Sequence, residues 1–265
     1  MLENPNILNM VCTVEPLLWF MVLYSYSRST VESRSRCFRL YLALQMAIAS
    51  VLAPLVLLML GTDGTTAMRL SQIHSQIYWW GSILSGILVI GTIRDVLSQI
   101  LSSLVGLQRL ALLSLQWLLI VISFILINCV LRGLGRVSFS TQLARISYGL
   151  TIAQILLLLL VVPFTFVVRR SMRSRYQDVM LGLAVLAMSN AILNWGSWSS
   201  RPMPSLVLMT QVLVVLTTLV FWTCCFIGEE RISPPRMLPA NSRLVRWSEK
   251  FRVLKRAPVQ AGRGR

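Results

Sequence analysis

The chain has 265 residues, of which 55% are hydrophobic and only 13% charged, well short of the roughly 25% charged residues of a water-soluble domain. Its formal charge of +16 resembles that of a nucleic-acid binder. However, nine of the net positive charges lie after Glu230 and most others flank apolar stretches, where anionic phospholipid is the natural counterpart. No nucleic-acid partner is therefore expected.

The first apolar span covers residues 7–26 and is interrupted by Glu15 with Pro16 directly after it. Glu3 precedes it, no Lys or Arg does, and no small-x-small cleavage pattern follows. A secretory leader needs a basic start, so this segment reads as a retained helix. Six further spans follow at 38–60, 72–93, 109–131, 146–168, 177–199 and 206–227. The stretches 40–62, 70–93, 110–131, 146–168, 179–200 and 202–228 contain no Lys, Arg, Asp or Glu; Asp63 stands just past the first and His74 within the second. Each approaches or exceeds the roughly 20 residues that cross a bilayer as a helix. The expected fold is all-α, a bundle of seven transmembrane helices forming one domain over residues 1–230, with no soluble domain inserted.

Orientation follows the basic residues. With the N-terminus outside, the inner loops hold Arg28, Arg34, Arg36, Arg39, Arg94, Arg109, Arg169, Arg170, Arg173 and Arg175. The outer loops hold only Arg69, Arg132, Arg136, Arg145 and Arg201. The remaining ten basic residues run from Arg231 to the C-terminus, on the cytoplasmic side. Tyr78, Trp79, Trp80, Trp195 and Trp198 then lie near outer helix ends, where aromatic side chains settle at the interface or line an outward-facing pocket.

The segment 231–265 is a basic cytoplasmic tail. Pro234, Pro235 and Pro239 stiffen its exit, and Asn241 or Ser242 is placed to cap a short helix over 242–255. Leu244, Trp247, Phe251 and Leu254 recur at helical spacing, with Arg243, Arg246 and Lys250 mostly on the other side. This pattern suits a helix lying on an anionic leaflet, with Arg243, Arg246, Trp247 and Lys250 as the headgroup contacts.

Within the spans, polar residues are the candidates for function. A carboxylate in a span is costly unless paired, neutralised or hydrated, which singles out Glu15, although its depth also allows it to reach outer water. The amides Gln45, Gln76, Gln116, Asn128, Gln154, Asn190, Asn194 and Gln211 are spread over six helices and are expected to face protein or water. Asn190 and Asn194, four residues apart, share a helix face. The concrete expectation is an outward-facing ligand site between helices one, three and six, built from Glu15, Gln76, Tyr78, Asn190 and Asn194. Its bland counterpart is interhelical hydrogen bonding without a ligand. Gly81, Gly86 and Gly91, five residues apart in helix three, read as packing positions rather than hinges. Arg94–Asp95 and Asp178 are placed for an ionic contact at the cytoplasmic mouth, or for solvated loop positions.

No cofactor or metal site is expected. The single histidine excludes a multi-histidine metal or haem centre. The five cysteines (Cys12, Cys37, Cys129, Cys224 and Cys225) form no CxxC or His/Cys zinc spacing. The only lysines, Lys250 and Lys255, lie in the tail, so no span offers a retinal Schiff base, and HExxH is absent. Enzyme activity is not expected.

The run YWWGSILSGILVIGTIRDVLSQILSSLVGLQRLALL, residues 78–113, resembles a group of uncharacterised seven-helix integral membrane proteins from soil bacteria. It shares an aromatic-rich start to helix three, a charged inner end and an Arg-Leu restart at helix four, but lacks that group's Pro-Tyr step after helix three. The resemblance implies topology and location, a multi-pass protein of a bacterial inner membrane, and no activity. The functional expectation is a sensor or receptor-like protein that binds a small ligand and signals to a cytoplasmic protein partner. The alternatives are a small-solute transporter or channel subunit, and a structural or assembly subunit of a membrane complex.

Overall fold

The computed structural model describes residues 5–28, 35–62, 64–101, 105–133, 139–169, 175–198 and 205–227. Among them are seven helices and no strand: α1 (Pro5–Arg28), α2 (Arg36–Gly61), α3 (Thr65–Ile100), α4 (Val105–Gly133), α5 (Phe139–Arg169), α6 (Arg175–Trp198) and α7 (Ser205–Ile227). The tail, with Arg243, Arg246, Trp247 and Lys250 and the expected helix over 242–255, lies outside the described residues.

Five helices begin and end within a few residues of the apolar stretches; α3 and α5 do not. α3 is 36 residues long, about 54 Å at 1.5 Å per residue, against a hydrocarbon core of about 30 Å. Its extra turns at both ends are polar or charged, yet they contain no proline, so the helix continues where the apolar composition stops. At the N-terminal end these turns stand clear of the bundle: Met68 is 67% exposed.

Three helical stretches among the described residues are long and apolar enough to cross a membrane: Arg36–Met59, Thr65–Gln99 and Met209–Ile227, with mean hydropathies of 2.3, 1.4 and 2.0. Within the described residues the apolar stretches of α4, α5 and α6 are Gln108–Val121, Arg145–Leu159 and Gln177–Ile192. Three such helices give the chain the character of a membrane protein.

The helices close a ring. α1 packs on α2 and α7, α2 on α3, α3 on α5, α5 on α6, and α6 on α7. α3 also reaches α6 across the ring, while α4 lies outside it against α3 and α5. The outward stripe of α4 consists of Leu113, Trp117, Ile120, Phe124 and Ile127, each more than half exposed and spaced four and three residues apart, a single helix face.

Close approach within the ring depends on glycine. A Cβ at Gly81 would stand 2.6 Å from Ile48 Cδ1, and one at Gly91 2.8 Å from Cys37 Sγ, both on α2. A Cβ at Gly86 would stand 2.7 Å from Gln154 Nε2 on α5. Five residues turn the helix by roughly 140°, so successive glycines serve different neighbours and α3 is held between α2 and α5. The α2–α3 connection contains Gly64 at φ 66°, a region that side chains disfavour.

At the end of the bundle where α1 stops and α2 starts, Ser35 joins three helices. Its Oγ accepts from the Phe38 N–H at 3.2 Å, capping α2, and donates to Asp95 Oδ2 on α3 at 2.9 Å. Its carbonyl accepts from the Tyr26 hydroxyl of α1 at 3.4 Å. Asp95 is thus engaged with α2. Asp178 contributes its backbone carbonyl, which accepts from Trp222 Nε1 at 3.0 Å.

Candidate functional site

A cavity of about 360 Å³ lies inside the ring, lined by residues of α1, α2, α3, α6 and α7. α3 contributes His74, Tyr78, Gly81, Ser82 and Ser85, at intervals of four, three, one and three residues, which is one helix face. Glu15, Pro16 and Trp19 come from α1, and Asn190 and Leu186 from α6. Gln45 is the amide of α2 and Gln211 that of α7; the rest of the α2 and α7 walls is mainly aliphatic, including Ile48, Leu52, Val215 and Leu216.

The polar groups are partly tied to one another. Trp19 Nε1 donates to Glu15 Oε1 at 3.4 Å, one turn along α1. Gln211 bridges two helices: its Oε1 accepts from Ser189 Oγ and its Nε2 donates to Asn190 Oδ1 at 3.1 Å. An amide held from both sides has a fixed orientation, and Asn190 is thereby positioned at the exposed edge of the cavity. Ser82 Oγ lies 2.7 Å from the buried Ser147 Oγ of α5.

The far end of the cavity is closed by aromatic rings. Trp19 and Tyr41, both lining residues, meet edge to face at 6.1 Å between centroids. Trp19 also meets Trp222 at 6.5 Å, and Phe38 packs against Trp222 at 5.3 Å and Tyr26 at 5.0 Å. Phe226 completes the group against Tyr26 at 5.2 Å. All six side chains are at most 6% exposed. They come from the C-terminal ends of α1 and α7 and the N-terminal end of α2, the side on which Arg28, Arg36 and Arg39 lie. The cavity therefore occupies the half of the bundle nearer the α2–α3 turn, with an apolar floor beneath it.

Of the five ligand-site candidates, Glu15, Tyr78 and Asn190 line this one cavity. Gln76 is exposed on another face of α3, two residues and roughly 200° from His74. The Asn194 side chain lies outside the described residues. The cavity also takes in α2 and α7, which sequence reasoning left out of the site, together with Gln45 and Gln211. Both were visible as intramembrane amides; the missing information was which face of each helix turns inward. Gln116 does not face the bundle interior, being exposed on α4. Asn128 instead satisfies itself locally, donating to the Phe124 carbonyl at 2.8 Å.

Among the described residues, no group of three or more His, Cys, Asp or Glu is placed to hold a metal ion. No family model, curated protein or solved structure matches the chain, so no family is identified for it.

Proposed function

We propose that this chain is a seven-span membrane protein, N-terminus outside and basic tail in the cytoplasm, that binds a small ligand as a sensor or receptor-like module. The observation that carries the reading is the floor of the cavity. Polar side chains from five helices converge on one space, and that space ends against Trp19, Tyr41 and the buried rings behind them. A pocket with one blind end suits binding; transport needs polar groups that continue to the opposite face. The lengths of α1, α4, α5 and α6, 24 to 31 residues, are sufficient for four further crossings. The bias of basic residues places the blind end on the cytoplasmic side. In a bacterium the location is the inner membrane. A cytoplasmic protein partner reads the state of the bundle through the Arg-rich loops and tail, which also contact anionic lipid.

The test combines binding and flux in sealed proteoliposomes supplied with a panel of small solutes from the N-terminal side. Saturable binding approaching one solute per chain, with no lumenal accumulation, supports the sensor reading. Accumulation replaces it with a transporter, and an absence of both leaves a structural or assembly role.

A further inference from the structure

We infer that the ligand of this cavity is a monovalent organic cation, an ammonium group attached to an apolar body. The inference rests on the small-ligand reading above and specifies the class of ligand. Among the described lining residues Glu15 is the only Asp or Glu, and no Lys or Arg is among them. An ionised carboxylate accepts about four hydrogen bonds; the one found for Glu15 is the 3.4 Å contact from Trp19. Pro16, next in the chain, has no N–H to offer. An ionised carboxylate in this cavity is stabilised by one compensating positive charge. An anionic ligand would meet Glu15 with no opposing Lys or Arg.

Two other features of the lining select the kind of cation. Trp19, Tyr41 and Tyr78 share the cavity with Glu15, and aromatic faces attract ammonium groups. The aliphatic walls of α2 and α7, with Ile48, Leu52, Val215 and Leu216, suit a hydrocarbon or aromatic body. A bare metal ion would leave those walls unused and requires a set of oxygen ligands. Gln45 supplies an amide oxygen for one of the remaining ammonium hydrogens.

The experiment uses the full chain in phosphatidylcholine nanodiscs at neutral pH, with empty discs subtracted for partitioning. Two matched sets are titrated calorimetrically: 2-phenylethylamine, 2-phenylethanol and phenylacetate, then hexylamine, hexanol and hexanoate. The amines are expected to bind at least about tenfold more tightly than the alcohols, with the carboxylates weakest, a difference of about 1.4 kcal/mol or more. Glu15→Gln is expected to remove that preference, bringing amine and alcohol affinities within about twofold of each other. The amine-to-alcohol ratio is read on the unaltered chain, so it stands whether or not the variant folds. Alcohols binding as tightly as amines, or an amine affinity unchanged in a folded Glu15→Gln protein, overturns the cation and leaves the binding cavity in place. Failure of all six compounds to saturate overturns both.

Discussion

The indole of Trp222 occupies the space that a side chain at position 182 would need. Gly182 on α6 leaves that space open, and Trp222 Nε1 donates to the carbonyl of Asp178 one helical turn earlier. Trp222 is fully buried and in ring contact with Trp19 and Phe38, so this glycine helps determine where the floor of the cavity sits. Gly182→Ala forces a methyl group against a rigid ring that has no room to withdraw. The expected cost is about 1–3 kcal/mol, as for overpacked cores. Thermal unfolding in nanodiscs checks it: the midpoint falls by several degrees, whereas an unchanged midpoint means that the indole lies elsewhere.

Gly91 and Cys37 form a second such pair, between α3 and α2, and here the neighbour can be trimmed. Gly91→Ala places a methyl 2.8 Å from Cys37 Sγ and 3.2 Å from its Cβ. The single substitution is expected to destabilise by about 1–2 kcal/mol. Cys37→Ala removes the sulfur and is expected to restore part of the loss. The double-mutant cycle then gives a coupling of at least about 0.5 kcal/mol, the size found for residues in contact. Strict additivity would contradict the α2–α3 packing.

Ser35 acts on three helices at once, capping α2, holding Asp95 and receiving Tyr26. Ser35→Ala loses the cap and the bond to Asp95, and about 1–3 kcal/mol is expected. Ser35→Thr keeps the hydroxyl and is expected to retain most of the stability. Tyr26→Phe keeps the buried ring while removing the 3.4 Å contact to the Ser35 carbonyl and is expected to cost less than Ser35→Ala. The order of the three melting temperatures is the readout.

The existence and order of the helices were legible in the sequence because each carries a long apolar stretch, broken by a charge only at Glu15 in the first. The ends of α3 and the start of α5 were not, since hydropathy marks where lipid stops and helix geometry continues past that point. The faces were harder still. Lipid is as apolar as a Leu side chain, so inward and outward faces of a span differ little in composition. Gln76 and Tyr78 looked equivalent and lie on different faces of α3; Gln116 faces outward while Gln154 is buried against Gly86. Glu15, Tyr78 and Asn190 stood out as polar residues within apolar spans, but the contributions of α2 and α7 depend on closure of the ring between α1 and α7. Glycine spacing in α3 indicated packing; two different partners for three glycines required the coordinates.

The central claim is that the cavity is reached from one side only, above the aromatic floor. Ala53 of α2 lines it, and in a background with the native cysteines replaced by Ser, Ala53→Cys provides a single reporter. The measurement is the labelling rate with a membrane-impermeant thiol reagent added to one face or the other of oriented, sealed vesicles. The account predicts labelling from the N-terminal side and protection from the tail side. Equal rates from both faces would mean a path through the ring of Trp19, Tyr41 and Trp222, and would contradict it.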